Sequence, residues 1–363
     1  MKILGIESSC DETAAAIVED GHRLLSNVVH SQIDIHAVYG GVVPEVAARS
    51  HIEVINPVIQ KALSDAAVTW DDIDAIAVTY APGLIGSLLV GTLAARTLAL
   101  TKNKPLYPIH HVEAHVYANF IDEQAEHLTL TLPKSQPRFP LLALIVSGGH
   151  SQLVLFHDHG DYQLLGQTQD DAVGEAFDKV AKIIGLPYPG GPSIAQAALK
   201  GSPTEYSLPK AKMKGAYDFS FSGLKTAVLR AVQREVCVDT TFPSSELAGL
   251  LNDVQRANFA ASFQRTAIET LIDKTEQAFR DHSPASVVIA GGVAANAELR
   301  TLLSKRLPIP VEYAPMALCT DNAAMIAALG YYQAQQLPST PVEDILVIPS
   351  LSMSKTAWRP IKS

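Results

Sequence analysis

The stretch KILGIESSCDETAAAIVEDG, residues 2–21, decides how the fold begins. An apolar run comes first, a polar break follows at residues 7–13, and a second apolar run, AAAIV, precedes an Asp20-Gly21 turn. Short apolar runs that are bounded by turn residues are typical of buried strands. The stretch therefore predicts a β-hairpin, and the tip of this hairpin carries Ser8, Ser9, Asp11 and Glu12.

A second stretch, PLLALIVSGGHSQLVLFHDHG at residues 140–160, has the same layout, with SGGHS at its tip. Further along, SVVIAGGVAANAELRTLL predicts a strand, a Gly-Gly turn and a helix bearing Asn296. APMALCTDNAAMIAALGYY places Thr320 or Asp321 at the start of an alanine-rich helix. Strands alternate with helices throughout, which predicts the α/β class. The two similar hairpins indicate an internal duplication.

The composition is that of a packed globular enzyme. The 363 residues suffice for one large or two medium domains, and 47% of them are hydrophobic while 18% are charged. The formal net charge of −9 argues against a surface that is uniformly suited to nucleic acid. A polar, proline-containing stretch at about residues 122–140 predicts a surface connection between two lobes.

One segment departs from this overall acidity. Between residues 198 and 234, seven basic side chains stand against two acidic ones, Glu205 and Asp218, which leaves an excess of five positive charges. Such a segment is a candidate contact for a polyanion, and a solvated lysine-bearing loop is the alternative. The basic residues are Lys200, Lys210, Lys212, Lys214, Lys225, Arg230 and Arg234.

The cysteines and the first residues bear on the compartment. Cys10, Cys237 and Cys319 are scattered and odd in number, which favours a reducing compartment over a disulfide-stapled domain. Met1 runs directly into the first predicted strand, without the features of a secretory or transit leader. We therefore expect a cytoplasmic protein.

The most apolar stretch is LIGSLLVGTLAARTLAL at residues 84–100. It contains Arg96 and follows a Pro-Gly pair, which favours a buried helix of a globular domain over a membrane span. We expect its small residues to allow close packing against another helix, including one from a partner protein. These small residues recur every four positions, at Gly83, Ser87, Gly91 and Ala95.

Two histidines in YPIHHVEAHVY, residues 107–117, have the spacing of a metal pair. His111 and His115 are four residues apart, so on a helix both project from one face, where two ring nitrogens can reach one ion. Glu113 falls on another side of the helix. Such pairs are also common without a metal, so the prediction of a site depends on a third ligand from elsewhere in the chain.

Three Gly-Gly turns are candidates for phosphate binding, in SGGH at 147–150, PGGPS at 189–193 and AGGVAAN at 290–296. Such turns point backbone N–H groups outward, and a helix N-terminus behind them favours phosphate. Asp11 and Glu12 are either solvated turn residues or, if they face a nucleotide, ligands for a divalent ion. Together these features predict a two-lobed nucleotide cleft without a Walker or Rossmann glycine motif.

Eight motifs are distributed over the whole chain: LGIESSCDET, YGGVVPEVAAR, HHVEAH, LIVSGGHSQL, GEAFDKVAKIIGLPYPGGP, FSFSGLKTA, AGGVAAN and CTDNAAMIA. Together they resemble the universal tRNA threonylcarbamoyladenosine transferase family, called TsaD in bacteria and once described as a sialoglycoprotein endopeptidase. The resemblance implies the two-lobed actin, Hsp70 and sugar-kinase (ASKHA) fold, with duplicated ribonuclease-H-like lobes and a central nucleotide cleft. We expect an N-terminal lobe of residues 1–125 plus 320–345. The C-terminal lobe is expected at 138–319, with the basic segment inserted at about 198–255.

The activity implied by this resemblance is transfer of a threonylcarbamoyl group. The donor is threonylcarbamoyl-AMP, and the acceptor is N6 of adenosine 37 in tRNAs that read codons beginning with A. The implied partners are tRNA, threonylcarbamoyl-AMP and proteins of the TsaB and TsaE types, with no membrane. The implied cofactor is one divalent metal ion per subunit, with Fe(II) favoured and Zn(II) as the alternative. An adenine nucleotide is bound as part of the substrate.

The site residues are carried over by motif. The implied metal ligands are His111, His115 and Asp321. Asp11 and Glu12, at the cleft end of the first hairpin, are the candidate catalytic residues. The implied contacts to the adenylate are Ile145, Val146, Ser147, Gly148, Gly149, Asp178, Gly191 and Asn296.

Two other functions fit parts of the pattern. An actin-fold ATPase that acts as a chaperone or regulatory module would use the nucleotide cleft with a merely structural metal. A metalloprotease would use the histidine pair, but in H-E-x-x-H the glutamate directly follows the first histidine, whereas Val112 follows His111 here. The chain also has a longer connection at residues 123–139 than the commoner bacterial pattern, which bears on loop contacts and partner geometry.

Overall fold

The computed structural model describes residues 1–355 and residue 358. Eleven strands in this described part form two mixed sheets. The strands are β1 (Lys2–Glu7), β2 (Glu12–Glu19), β3 (Arg23–Ser31), β4 (Ala75–Ala81), β5 (Leu106–His110), β6 (Glu123–Gln124), β7 (Leu141–Val146), β8 (Ser151–Asp158), β9 (Asp161–Gln167), β10 (Ser286–Ala290) and β11 (Val311–Tyr313).

Helices flank both sheets, and the α/β class is confirmed. The α-helices among the described residues are α1 (Ile33–Ala37), α2 (Pro44–Asp65), α3 (Ile85–Lys102), α4 (His111–Tyr117), α5 (Val173–Ile184), α6 (Gly190–Ala198), α7 (Ser222–Glu235), α8 (Ser244–Leu247), α9 (Asp253–His282), α10 (Ala297–Arg306), α11 (Met316–Cys319) and α12 (Ala323–Gln336).

Both sheets repeat one topology. The first has the strand order β5-β4-β1-β2-β3-β6, and the second has the order β11-β10-β7-β8-β9. In each, the first three strands form an antiparallel meander, and two later strands lie parallel to the first strand on its other side. This repetition confirms the internal duplication and the ribonuclease-H-like arrangement of the two halves.

The first hairpin is tighter than the sequence pattern predicts. β1 continues through Glu7 and β2 begins at Glu12, so the turn comprises only residues 8–11. Glu7 pairs with Ala14 in the antiparallel ladder, and Glu12 pairs with Ser31 of β3. The prediction of a polar break at residues 7–13 was therefore wrong at both ends, because ladder hydrogen bonds tolerate polar residues at strand ends.

Helix α12 lies against the first sheet although it follows both sheets in the chain. It contacts β1, β2, β4 and β5. It packs so closely that a Cβ atom on Gly5 would stand 2.3 Å from the carbonyl oxygen of Ala323. Helices α2 and α3 cover the opposite face, where Leu4 and Ile6 point. The lobe boundaries expected above stay a prediction.

The small residues of α3 face inward rather than toward a partner. Ser87 and Ala95 are fully buried, and a Cβ atom on Gly91 would stand 2.3 Å from Ser8 Oγ. The expectation that this face packs against a partner helix was therefore wrong, because it is already occupied by the first hairpin. None of the helices in the described part of the chain is long and apolar enough to cross a bilayer. The outward face of α3 carries Ile85, Leu89, Leu93 and Leu100, each at least half exposed.

Candidate functional site

The short helix α4 presents both histidines of the predicted metal pair. It follows β5 directly, and His110 caps its N-terminus by accepting a hydrogen bond from the Glu113 amide at 3.4 Å. His111 and His115 lie on one face, as the four-residue spacing predicts, with ring centroids 4.8 Å apart. Both imidazoles are buried, so two polar rings lie side by side out of contact with water.

Asp321 completes this group from a distant part of the chain. Its Oδ1 lies 3.5 Å from His111 Nε2 and 3.3 Å from His115 Nε2. The candidate ligand atoms of the three residues lie within 4.8 Å of one another. Neither Asp321 nor Thr320 caps α12, because Asn322 does so by accepting from the Met325 amide at 3.1 Å. That prediction was wrong, and the correction leaves the Asp321 carboxylate available to the histidines.

The three residues fit a divalent metal ion. Neither ring nitrogen of His115 forms a properly oriented hydrogen bond with any described residue, although both atoms are buried. A buried polar atom without a partner costs about 1–3 kcal/mol. One ion bound by both imidazoles and the carboxylate would remove that cost for the His115 nitrogen that binds it. This ligand set suits Fe(II) or Zn(II) and leaves coordination positions for a substrate.

Glu7 is a candidate site residue that the sequence reasoning missed. It is fully buried, and its Oε2 lies 3.0 Å from His111 Nδ1. It also accepts hydrogen bonds from Thr79 Oγ1 at 2.6 Å and from the Ser9 amide at 2.5 Å. A carboxylate in this position accepts a hydrogen bond from Nδ1–H and so leaves Nε2 as the metal-binding nitrogen. The sequence signal that could have identified Glu7 is a carboxylate at the end of an otherwise apolar strand.

The charges of this cluster reinforce one another. Burial alone would lower the pKa of His111, but Asp321 and Glu7 outweigh it and raise the pKa to about 9. Burial alone would raise the pKa of Asp321 and that of Glu7. His111 nevertheless holds the pKa of Asp321 well below its usual range and lowers the pKa of Glu7. Both carboxyl groups are therefore ionised at neutral pH and attract a cation.

One cavity of about 570 Å³ joins the metal group to both hairpin tips. Its walls come from the first hairpin, the loop before α3, the metal group of His111, His115 and Asp321, the second hairpin and a C-terminal segment at residues 349–352. The lining residues are Ser9, Cys10, Asp11, Pro82, Gly83, Leu84, His111, Ser147, Gly148, Gly149, His150, Gln152, Gln167, Asp321, Pro349, Ser350, Leu351 and Ser352.

The turn at residues 147–149 presents backbone to this cavity. The Ser147 amide donates to the His150 carbonyl at 2.8 Å, so the amides of Gly148 and Gly149 are the ones that no described residue engages. A Cβ atom on either of these glycines would meet no atom within 4 Å. Ile145 and Val146 are fully buried in β7, so they support the turn from below rather than lining the cavity.

The other predicted adenylate contacts are dispersed over α5, α6 and α10. Asp178 Oδ1 accepts from the Gly190 amide at 2.7 Å, and burial raises the pKa of Asp178. Gly191 follows in the first turn of α6, with open space around it. Asn296 caps α10 by accepting from the Leu299 amide, and its Nδ2 donates to Gln264. Their contact with an adenylate stays a prediction.

The two candidate catalytic carboxyl groups have different surroundings. Asp11 lines the cavity, whereas Glu12 accepts a hydrogen bond from Ser31 Oγ at 3.1 Å on the neighbouring strand. Burial and the negative charges of Asp321 and Asp11 raise the pKa of Glu12 to about 10. Glu12 therefore holds a proton at neutral pH.

Glu113 does not face the metal group. Its carboxyl accepts from Tyr162 Oη at 3.2 Å and from Trp358 Nε1 at 2.9 Å. Burial raises the pKa of Glu113 to about 8, against the opposing effect of these two donors. The metalloprotease alternative requires a glutamate base beside the metal, and this geometry does not provide it.

The basic segment is partly neutralised within the fold. Lys210 forms ion pairs with Glu269 and Asp273, and Lys225 pairs with Asp171. Arg230 and Arg234 lie one turn apart on α7, beside a groove of about 540 Å³. The remaining exposed lysines of the segment are Lys200, Lys212 and Lys214.

Comparisons with known proteins decide the family. The family model described as TsaD, tRNA N6-adenosine threonylcarbamoyltransferase, matches residues 23–328. The chain belongs to this family. Proteins of that name from Thermomicrobium roseum and Symbiobacterium thermophilum are each 52% identical, over 93% and 91% of both chains respectively. One from Dehalococcoides mccartyi is 48% identical over 98% of this chain and 100% of its own.

A solved structure supports the fold alone. Full-length HypF, in its phosphate- and nucleotide-bound form, superposes with a TM-score of 0.55 over 92% of this chain and 46% of its own. The sequence identity is 13%, so this likeness concerns architecture only. Membership of the TsaD family agrees with the resemblance that the eight motifs indicated.

Proposed function

We propose that this chain transfers the threonylcarbamoyl group of threonylcarbamoyl-AMP to N6 of adenosine 37, in tRNAs that read codons beginning with A. The observation that carries this proposal is the single cavity that joins the buried His111, His115 and Asp321 group to the glycine turn at 147–149. The relatives that match nearly the whole chain are named for this transfer. We place the reaction in the cytoplasm.

The reaction is an acyl transfer in which one bond is exchanged for another. A C–N bond forms between the carbamoyl carbon and N6, the bond from that carbon to the phosphate oxygen breaks, and N6 loses one proton. Asp11 lines the cavity and accepts this proton, while the protonated Glu12 beside it leaves Asp11 as the available base. The amides of Gly148 and Gly149 stabilise the charge of the departing adenylate.

The residues of the metal group position the threonylcarbamoyl end of the donor. A divalent ion bound by His111, His115 and Asp321, Fe(II) or alternatively Zn(II), would act as a Lewis acid toward the carbamoyl carbonyl. Glu7 keeps the His111 ring in the tautomer that presents Nε2. We assign the adenosine part to the side of the cleft that bears Asp178, Gly191 and Asn296.

The tRNA backbone is expected along α7 and the loop before it. Arg234 is exposed, and Arg230 lines the same groove. Exposed lysines on the preceding loop extend this charge. An unpaired anticodon-loop base is the usual target of specific RNA recognition, and phosphate contacts of this kind position it.

We propose TsaB- and TsaE-type proteins as partners in the reaction. The outward face of α3 supports a protein contact, because Ile85, Leu89 and Leu93 recur every four residues and are at least half exposed. Substituting Leu89 and Leu93 by Ser, with complex formation then measured by analytical ultracentrifugation, tests this surface. Unchanged assembly would place the contact elsewhere.

The decisive experiment is mass spectrometry of nucleosides. A tRNA that reads A-starting codons is incubated with the purified protein, the partner proteins and threonylcarbamoyl-AMP, for wild type and His111→Ala. Threonylcarbamoyladenosine formed by the wild type alone supports the proposal and ties it to the metal group. No product from either protein, with partners shown to be active, would overturn it in favour of an ATPase binding module.

A further inference from the structure

A C-terminal segment outside every recognised motif reaches the candidate metal site. The Ile348 amide donates to the Tyr80 carbonyl at 3.0 Å, and the Pro349 carbonyl accepts from the Gly83 amide at 3.1 Å. The next residues, through Ser352, line the cavity that contains His111 and Asp321. This segment is therefore one wall of the site, held to the end of β4 by its backbone.

Leu351 of this segment and Trp358 further along the chain each contact the helix that carries the histidines. His110 Nε2 lies 3.1 Å from the Leu351 carbonyl oxygen, and His110 is the N-cap of α4. Trp358 Nε1 donates to Glu113 Oε1 at 2.9 Å. Glu113 stands between His111 and His115 in the sequence. The contact of His110 therefore holds α4 at its N-terminus, and the contact of Glu113 holds it at its middle.

The indole of Trp358 occupies a shaped recess. Gly160, in the turn between β8 and β9, has a φ of +72°, and a Cβ atom there would stand 2.1 Å from Cδ2 of the indole. Only glycine allows the ring to lie at this turn. The other carboxyl oxygen of Glu113 accepts from Tyr162 of β9 at 3.2 Å. Glu113 thus joins α4 to both the second sheet and Trp358.

We propose that Trp358 is a positioning residue for the metal site. Its docking on Glu113 holds α4 in the orientation in which the two histidines and Asp321 bind one ion. This inference rests on the proposed metal site. Because coupling between two binding events is reciprocal, metal binding must also tighten the docking of Trp358.

The first test is the affinity for zinc of the full-length protein, measured by calorimetry. Trp358→Phe keeps an aromatic ring but removes the N–H donor to Glu113. We expect its dissociation constant for Zn²⁺ to rise about fivefold or more. Trp70→Phe is the matched control, because Trp70 lies near Lys102 on α3, and it should bind zinc as the wild type does. Wild-type affinity in Trp358→Phe would overturn the proposal.

The second test leaves Trp358 in place and so does not depend on how its variant folds. The sequence has two tryptophans, so Trp70→Phe makes Trp358 the sole tryptophan fluorophore. We expect saturating Zn²⁺ to reduce the quenching of its fluorescence by acrylamide, a coupling that a merely structural residue would not show. Identical quenching with and without zinc overturns the proposal.

Both tests are independent of transfer activity. A protein that binds zinc but modifies no tRNA would refute the proposed function and leave the role of Trp358 intact. A wild type that binds no zinc would overturn the metal assignment together with this inference.

Discussion

The tips of the two hairpins, residues 8–11 and 147–150, occupy equivalent places in sheets of the same topology but have opposite chemistry. The first tip lies between Glu7 and Glu12, and it presents side chains, among them that of Asp11, to the cavity. The second has Gly148 and Gly149, and it presents backbone to the same cavity.

The difference shows how a duplicated scaffold makes one asymmetric site. A buried carboxylate requires a cationic counterpart, and Glu7, beside the first tip, has it in His111 and in the ion that the metal group fits. Open amides require an anion, and the second tip is suited to phosphate. Under the proposed function, the two halves would bind opposite ends of one donor molecule, and both tips line the one cavity that would contain it.

Removing a metal ligand tests the first half most severely. His115→Ala should abolish binding of one zinc ion per chain and reduce transfer by about a thousandfold or more, since metals in this role supply several kcal/mol. Metal content and single-turnover transfer are the measurements. His30→Ala, at the exposed end of β3, is the control. Full metal content in His115→Ala would show that His115 is not a metal ligand and would contradict the assignment of a cation to the first tip.

Glu7→Gln changes the support of a ligand rather than a ligand. The amide keeps the size of the carboxylate but loses its charge, so it no longer fixes the His111 tautomer as strongly. We expect zinc affinity to fall about 10- to 100-fold. Glu19→Gln, at the other end of the same ladder, serves as the control and should bind normally. Equal affinities would show that the Glu7–His111 contact does not support the metal.

Gly148→Ala is the corresponding test of the second tip. The added methyl group meets no protein atom within 4 Å, so thermal stability should be unchanged. The methyl group would instead fill the space assigned to the adenylate and weaken AMP binding about tenfold. Zinc affinity should stay at the wild-type value. Gly249→Ala, with equal room and a place outside the cavity, is the control.

The result would be contradicted by normal AMP affinity in Gly148→Ala, or by a loss of zinc affinity comparable with that of Glu7→Gln. Either outcome would mean that the two tips do not divide cation and anion between them.

Glu113→Gln should have the smallest effect on transfer, and it reports on the link between the halves. Burial raises the pKa of Glu113 to about 8 from its ordinary value of 4.5. A carboxyl group with a raised pKa in the folded state contributes stability that is complete below about pH 4.5 and is lost as the pH rises through 8. The wild type should lose on the order of a few kcal/mol relative to Glu113→Gln across this window.

Urea unfolding at several pH values, in the presence of a chelator, measures this difference. Parallel stability profiles for the wild type and Glu113→Gln would show that folding does not raise the pKa of Glu113. The variant retains an acceptor for Trp358, so its transfer activity should stay close to that of the wild type.

Local sequence patterns determined the α/β class, both hairpins and the common face of His111 and His115. These features depend on the two-residue period of strands and the 3.6-residue period of helices, which act over a few residues. The duplication could be predicted for the same reason, because each half repeats the pattern. The third ligand, Asp321, could be named only through the family resemblance, since nothing in its local sequence directs it to the histidines.

Tertiary packing alone decided what covers each face. The small stripe of α3 suggested close approach, but only the fold shows that Ser8 of the same chain occupies it. Glu7 reads as a turn residue until β1 and α4 enclose it beside His111. Trp358 contacts Glu113 across a sequence separation that no periodicity spans. A local pattern specifies which residues share a surface, whereas the element that buries this surface depends on packing between distant segments.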